Sequence, residues 1–544
     1  MFKKLTYTFI VSFLALNSFA QNNSGEIHGD FDLNMQSYQE DELIGANAAD
    51  EIILNNAYLN INYTKGDFAA GLRYESYLNA LMDFDDDYKG NGIPFRYANY
   101  TIDGLEVTVG NYYEQVGSGL IFRSYENKGL GTDNAMDGIR LKYSPLKGIY
   151  LKSFIGKSRT YFSHAEGIIR GVDAEVNINE ALNLESKTKI IMGQGFVSRF
   201  QADINPKFKL PQNVAAYSSR LNIINGGWNY SGEYAIKLND PVGSLTSEGN
   251  NYANGNALMS SLTYSKRGFG IIAEMHRVDH MEFRSERAGE KQYIINYIPT
   301  LSKQHTYTLL ALYPSATQTE GEFGTQIDVF YKIKKGSLLG GKYGTKIIFN
   351  FSRINALNGG SSYLNDNREH NPMFISIKGE ELYYKDINVE VYKKINKKIR
   401  ATGVIAKQSY NKDVLEGKTP GTYGIVESTI AIADISYKIK KGHTVRIELQ
   451  ELLADGGEGS WSMGLAEYTI SPHWFFAVQD MYNWGNHILS KQLHYVNINL
   501  GYLKGANRIE IGYGKKRAGI FCVGGVCKEV PSSNGFSLAI SSSF

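Results

Sequence analysis

Strict period-two alternation of apolar and polar residues recurs along the chain and sets the first limit on its fold. Leu105, Val107 and Val109 alternate with Glu106 and Thr108, and Ile139, Leu141 and Tyr143 with Arg140 and Lys142. The pattern returns in Ile387, Val389 and Val391 against Asp386, Asn388 and Glu390, and in Val445, Ile447 and Leu449 against Arg446, Glu448 and Gln450. Successive strand side chains point to opposite faces, so each segment is a strand with one apolar and one polar face. Periodicity alone does not say which face is inside. In a soluble sandwich the apolar face points inward, whereas in a membrane barrel it meets lipid and the polar face lines the interior.

The connections decide between these. One set is short and often basic, including Lys65-Gly66, Asp103-Gly104, Asn225 to Gly227, Lys266 to Gly268, Leu301 to Gln304, Lys394 to Lys397 and Lys441-Gly442. Interleaved is a longer set rich in Gly, Asn, Asp and Ser, near 79–94, 112–136, 157–167, 199–213, 284–291, 313–321, 355–372 and 518–533 among others. Regular alternation of short turns and long loops is the pattern of outer-membrane barrels. The expected fold is all-β: a single antiparallel transmembrane β-barrel of about 26 strands (roughly 22–28), with both termini periplasmic. A first strand beginning near Gly25 to Ile27 predicts no separate N-terminal plug domain.

Export fits that location. Lys3 and Lys4 precede an apolar stretch to about Leu16, and Asn17-Ser18-Phe19-Ala20 supplies a cleavage site, so residues 1–20 read as a signal peptide and 21–544 as the barrel. Beyond it there is no apolar run of roughly eighteen residues, which excludes further membrane helices but not membrane strands. With 56 Gly, 38 Tyr and only 11 Pro spread evenly, nothing marks a domain boundary, and a net charge of +2 gives no support for nucleic acid as a partner.

The last segment carries Phe536, Leu538, Ile540 and Phe544 on one face and small residues on the other, so Phe544 is the expected signal for the barrel-assembly machinery. Aromatic pairs at Tyr112-Tyr113, Tyr383-Tyr384 and Trp474-Phe475-Phe476 are expected as interfacial girdles. The two cysteines, Cys522 and Cys527, flank Val-Gly-Gly-Val and in an oxidising compartment are expected to form a disulfide. Two thiolates without a nearby His are too few to hold a metal.

The stretch Gly110-Asn-Tyr-Tyr-Glu-Gln-Val-Gly-Ser-Gly-Leu-Ile-Phe-Arg-Ser-Tyr125, with Gly131-Thr-Asp-Asn-Ala-Met-Asp-Gly138 and Lys157-Ser-Arg159, resembles a family of large outer-membrane β-barrel proteins from Bacteroidota with no established function. The likeness is clearest over residues 100–170. It implies fold and location and carries over no catalytic or binding residue.

By its own chemistry that stretch is either an inward-folded loop or an extracellular one. Glycines allow tight turns, and Glu114, Arg123, Glu126 and Lys128 could pair across a lumen constriction. His276 and His280 lie in Glu274-Met-His-Arg-Val-Asp-His-Met, where alternation sets them on the face opposite Arg277 and Asp279, so no His–carboxylate pair is implied. Asp83-Phe-Asp85-Asp-Asp87-Tyr-Lys-Gly90 has calcium-loop spacing, but Tyr88 stands where Gly is wanted and the bidentate acid is missing. No catalytic, cofactor-binding or metal residue is expected, and no enzymatic activity. The expected function is a porin-like channel or transporter of unidentified solute. The rival is a non-conducting scaffold or assembly component, its lumen filled by its own loops or by a partner docked on a basic rim that includes Lys332, Lys335, Lys393, Lys394, Lys397, Lys398, Lys440 and Lys441. Expected partners are outer-membrane lipid and lipopolysaccharide, and a periplasmic or lipoprotein subunit.

Overall fold

The computed structural model describes residues 25–204, 209–242, 251–289, 291–357, 381–523 and 526–544, so the signal-peptide reading lies outside the described residues. One sheet contains 24 strands. They are β1 (Glu26–Gln36), β2 (Leu54–Lys65), β3 (Phe68–Tyr77), β4 (Gly90–Ile102), β5 (Leu105–Tyr112), β6 (Met136–Leu146), β7 (Ile149–Thr160) and β8 (Ser163–Asn177). The sheet continues through β9 (Thr188–Phe200), β10 (Asn213–Asn225), β11 (Trp228–Val242), β12 (Asn251–Lys266), β13 (Phe269–Asp279), β14 (Gly321–Ile333), β15 (Thr345–Asn355) and β16 (Leu382–Lys394). It ends with β17 (Ile399–Asn411), β18 (Ile425–Lys440), β19 (His443–Asp455), β20 (Trp461–Ile470), β21 (Trp474–Tyr482), β22 (His494–Lys504), β23 (Asn507–Lys516) and β24 (Ser533–Ser543).

Each strand pairs antiparallel with its sequence neighbour, and β1 pairs with both β2 and β24, which closes the barrel. At the seam the Gly29 N–H donates to the Phe544 carbonyl at 2.9 Å and the Phe544 N–H returns the bond at 3.0 Å. A Cβ on Gly29 would sit 2.3 Å from the Asn60 carbonyl oxygen and 2.8 Å from the Phe544 ring, so the close approach of the β2 backbone is what requires glycine there.

Among the described residues the sheet has 24 strands where about 26 were expected, because residues 280–289 and 291–320 form no barrel strand and Leu301 to Gln304 is not a turn. The missed signal is local. Leu309 and Leu310 are adjacent in sequence and both buried, which breaks alternation, and Pro299 and Pro314 cannot donate to a ladder. Residues 157–167 are also not a long loop: β7 and β8 extend to a tight turn at Tyr161-Phe162, with Tyr161 at φ 53°.

Burial settles which face is which. Ile139, Leu141 and Tyr143 are exposed while Ile405 and Leu449 are 68% and 59% exposed; on the alternate face Asp386, Asn388, Glu448 and Gln450 are buried. The apolar face is therefore outside and the polar face lines the lumen. Trp474 and Phe476 join the outer surface near the short turns, where Trp474 meets Tyr502 at 4.6 Å and Trp228 meets Tyr264 at 4.6 Å. Tyr112, Tyr383 and Tyr384 are instead buried in internal clusters, so those pairs are not girdle residues.

A cation on the outer face should be costly where one on the lumen face is not. Ile405→Arg is expected to lower stability by about 2–4 kcal/mol in lipid vesicles, read by urea unfolding, and unchanged stability would contradict an outward apolar band.

Candidate functional site

Two segments leave the rim of long loops and enter the lumen. The first, residues 113–135, connects β5 to β6 and folds on itself through two short ribbons, Gln115–Val116 with Phe122–Arg123 and Glu126–Asn127 with Thr132–Asp133. The second, residues 280–320, connects β13 to β14. They are stitched together by backbone: the Arg123 N–H donates to Ile295 O at 2.7 Å, and the Tyr297 N–H to Gly119 O at 2.9 Å. Asn296 Nδ2 adds bonds to Leu120 O and Met281 O, and Asn134 Nδ2 one to Ile294 O.

Their apolar residues build two cores inside the barrel. Val116, Leu120, Ile121, Phe122, Phe283 and Ile295 pack on Val197, Val214, Ala216, Ala235, Ala257 and Val278 of the wall. Across the lumen Leu309, Leu310, Leu312 and Tyr313 pack on Tyr384, Tyr410, Val426, Leu452 and Trp461. The wall is shaped for this. A Cβ on Gly195 would come within 2.4 Å of the Val116 side chain, and one on Gly167 within 2.0 Å of the Ser285 carbonyl.

Polar groups fix the register. The second segment crosses from β13 to the far wall, where Lys303 Nζ donates to Asn388 Oδ1 at 3.1 Å, His305 Nε2 lies 2.5 Å from Asp386 Oδ2, and Tyr307 donates to Asp434 at 3.3 Å. The Leu309 N–H donates to Gln450 Oε1 at 2.8 Å, and Gln408 Nε2 to Leu310 O at 3.1 Å. Beneath the first segment is a buried quartet: Arg159 pairs with Glu75 at 2.6 Å and with Asp133 at 2.5 Å, while Arg73 pairs with Glu75 at 2.6 Å and also holds Asp133. Asp133 belongs to the segment and the other three to strands β3 and β7. Buried charges are tolerated only when paired in this way.

The structure places the four expected constriction residues inside the lumen, but they do not pair with one another: Glu114, Glu126 and Lys128 grip the wall, and Arg123 packs on the two lumen segments. Glu114 meets Lys152 at 3.1 Å and Lys142 at 3.5 Å; Glu126 meets Arg73 at 2.9 Å; Lys128 meets Asp32 at 2.5 Å and lies over the Tyr58 ring. Arg123 is stacked on Tyr125 and Tyr297. Burial pushes the Glu114 carboxyl upward, yet Lys152, the Gln115 N–H and Lys142 outweigh it and hold the group below the ordinary carboxylate range, so it stays an anion. Sequence reasoning missed Arg73, Glu75, Asp133 and Arg159 as a set, since their partnership crosses strands far apart in the chain. Asp133 and Arg159 do fall within the quoted Gly131 to Gly138 and Lys157 to Arg159 stretches.

The remaining candidates fall elsewhere. His276 lies 2.7 Å from Glu322 on neighbouring β14, and His280 lies 2.6 Å from Asp279, so two His–carboxylate pairs exist where none was implied. The first spans two strands, and the second arises because His280 leaves the strand at φ 49°; alternation within one strand foresees neither. Asp83 to Gly90 carries a short helical turn, Asp86–Tyr88, in which Asp85 accepts from the Asp87 N–H and from the Tyr161 hydroxyl. Among the described residues no cluster of three or more His, Cys, Asp or Glu could hold a metal, and no helix is long and apolar enough to cross a membrane. Cys522 and Cys527 stand opposite each other in a ribbon, Gly519–Val523 with Val526–Val530; their side chains lie outside the described residues.

Removing one partner of the quartet tests how the first segment is held. Arg159→Met leaves Glu75 and Asp133 buried with one cation fewer and should cost about 3–5 kcal/mol of local stability. The expected readout is loss of amide-exchange protection across residues 113–135 with the strand ladders intact; unchanged protection would contradict the assignment.

Solved structures similar in fold include a chain of the E. coli P pilus tip assembly intermediate PapC-PapD-PapK-PapG (TM-score 0.49, 10% identity), of which the match covers 97% of this chain and 62% of that one. The siderophore receptor PirA from Pseudomonas aeruginosa (TM-score 0.40, 9% identity) is matched over 96% of this chain and 81% of its own. The copper transporter OprC gives a TM-score of 0.39 at 9% identity with the same two coverages. This chain thus spans less than two thirds of the matched chain in the pilus assembly. No curated protein matches. The sequence profile of a family of unknown function, DUF6029, matches residues 1–544, and the chain belongs to that family.

Proposed function

We propose that this protein is an outer-membrane barrel whose lumen is shut by its own segments 113–135 and 280–320, and that it passes solute only when the second of these is displaced. The observation that carries this reading is the crossing of the lumen by residues 280–320, which join β13 and β14 to side chains of β16, β17, β18 and β19. A wide barrel needs something to fill it, and barrels larger than porins are commonly plugged. Here the filling is covalently part of the wall, and much of its grip on the far side is hydrogen bonds and ion pairs that water can replace. An apolar outer band with aromatics near the short turns fits a bilayer. On this reading the short turns, the start of β1 and the end of β24 face the periplasm, Phe544 is read during assembly, and Cys522 and Cys527 are bridged.

A scaffold with a permanently closed lumen is the second reading, favoured by the apolar cores that seat both segments. Planar-bilayer recording separates the two. The intact barrel should conduct weakly or not at all. Replacing residues 303–315 by a Gly-Ser linker should open steady single-channel steps, and deleting residues 114–135 should enlarge the conductance as well. Silence of both variants, with folding verified, would rule out gating by these segments and leave the scaffold.

A further inference from the structure

Across the mouth of the barrel at the short-turn rim, cations recur on the lumen-facing side of consecutive strands β14 to β19. Lys332 stands opposite Lys346, Lys394 opposite Arg400, and Lys438 opposite Thr444. Alternation sets Lys332 on the face of Asp328, Lys346 on that of Asn350, Lys394 on that of Asn388, and Lys438 on that of Asp434. Asn388 and Asp434 meet the lumen segment, which fixes this face as the inner one. Like charges directly opposite each other weaken a sheet. Among the described residues these five cations meet no carboxylate; Lys346 and Lys394 lie over the Tyr392 and Tyr343 rings. Only Arg446, next along the arc, is neutralised, by Asp434 and Glu448.

Three hairpins, at residues 334–344, 395–398 and 441–442, frame the arc and contain no Asp or Glu. Two of their tips are apolar and bare: Leu338 is 98% exposed, Leu339 67% and Ile395 54%. Cations gathered between low-dielectric walls focus a positive potential on whatever enters the mouth. On the proposed reading of a closed lumen, the segment that carries Lys303, His305 and Tyr307 across to the far wall stops passage onward. A ligand here therefore stays at the mouth. The arc faces the lumen rather than the surrounding bilayer, which disfavours lipid headgroups, and the bare leucines offer contacts that a small anion does not use.

We propose that Lys332, Lys346, Lys394, Arg400 and Lys438, with Leu338 and Leu339 beside them, form a docking surface for an acidic, Leu-containing segment of a partner protein. Charge complementarity supplies the attraction and the leucine tips the contact that selects a chain of protein over a free anion. Because Lys394 shares the inner face of β16 with Asn388 and Glu390, a docked acidic chain would compete with those two groups for Lys303.

The test uses the full chain in detergent micelles and a labelled peptide of alternating acidic residues with interspersed Leu, read by fluorescence anisotropy. Wild type should bind it, weaken with added salt, and not bind the same peptide with Asn and Gln in place of the acids. Lys332→Glu with Lys394→Glu should reduce affinity by about tenfold or more, and the gentler Lys332→Gln with Lys394→Gln by several-fold should the first variant misfold. Leu338→Ser with Leu339→Ser should weaken the Leu-containing peptide but not a Leu-free acidic one. Equal affinity of wild type and the Gln pair would overturn the assignment. So would displacement of the peptide by inorganic phosphate at equal charge, which marks a small-anion site, or arc-dependent flotation with phosphatidylglycerol vesicles and no peptide binding, which marks a lipid surface. None of these readouts depends on conductance, so their failure is separable from failure of the gating reading.

Discussion

Backbone hydrogen bonding is the constraint from which the rest follows. A strand with an unpaired edge leaves a row of backbone donors and acceptors without partners, and the 24 strands found among the described residues escape it by pairing β1 with β24. Closure at that strand number makes a lumen too wide for wall side chains to fill. Either water fills it or the chain must. The inward apolar residues Val197, Val214, Ala216, Ala235, Ala257 and Val278 suit only the second, since a watered channel would leave them exposed; they are covered by the tip Leu120-Ile121-Phe122 and by Phe283 and Ile295.

Filling a polar lumen with chain raises a second problem, which the buried ion pairs solve. Polar wall groups lose water when the segments seat, and each needs a partner. Glu75, Asp133, Arg73 and Arg159 satisfy one another beneath the first segment, and Asp386, Asn388 and Asp434 receive His305, Lys303 and Tyr307 from the second. The two anchors differ. The quartet interlocks four buried charges through shared partners, whereas Lys303, His305 and Tyr307 reach the far wall separately, Lys303 to Asn388 and Glu390, His305 to buried Asp386 and Tyr307 to Asp434. On the proposed reading the first segment is the fixed part of the filling and the second the part that moves.

Much of the architecture was legible from residues because it depends on local pattern. Alternation in Ile139 to Tyr143 or Val445 to Leu449 marks a strand whatever its neighbours, and the rhythm of short and long connections marks an up-and-down barrel. The errors come where local pattern serves a different context. Tyr293 to Ile298 and Tyr307 to Tyr313 look like strands to a count of apolar residues, yet both cross the lumen, and Pro299 and Pro314 were the available warning. Tyr112 and Tyr384 look like girdle aromatics but point into internal cores. For Glu114, Arg123, Glu126 and Lys128 the sequence left an inward loop and an extracellular loop equally open, and it did not reveal their partners, of which Lys152, Arg73 and Asp32 lie on strands distant from their own segment.

What the sequence alone determined, then, is everything that rests on period two and turn chemistry: strands, their apolar and polar faces, and a single closed antiparallel sheet. What only the tertiary structure decided is what occupies the space inside. A residue such as Arg159, Gly167 or Asp386 takes its role from atoms that lie scores of positions away along the chain, and no local spacing encodes that meeting. The physical reason is that strand formation is governed by neighbours in sequence, while filling a lumen is governed by volume and by the need of each buried charge for a partner across it.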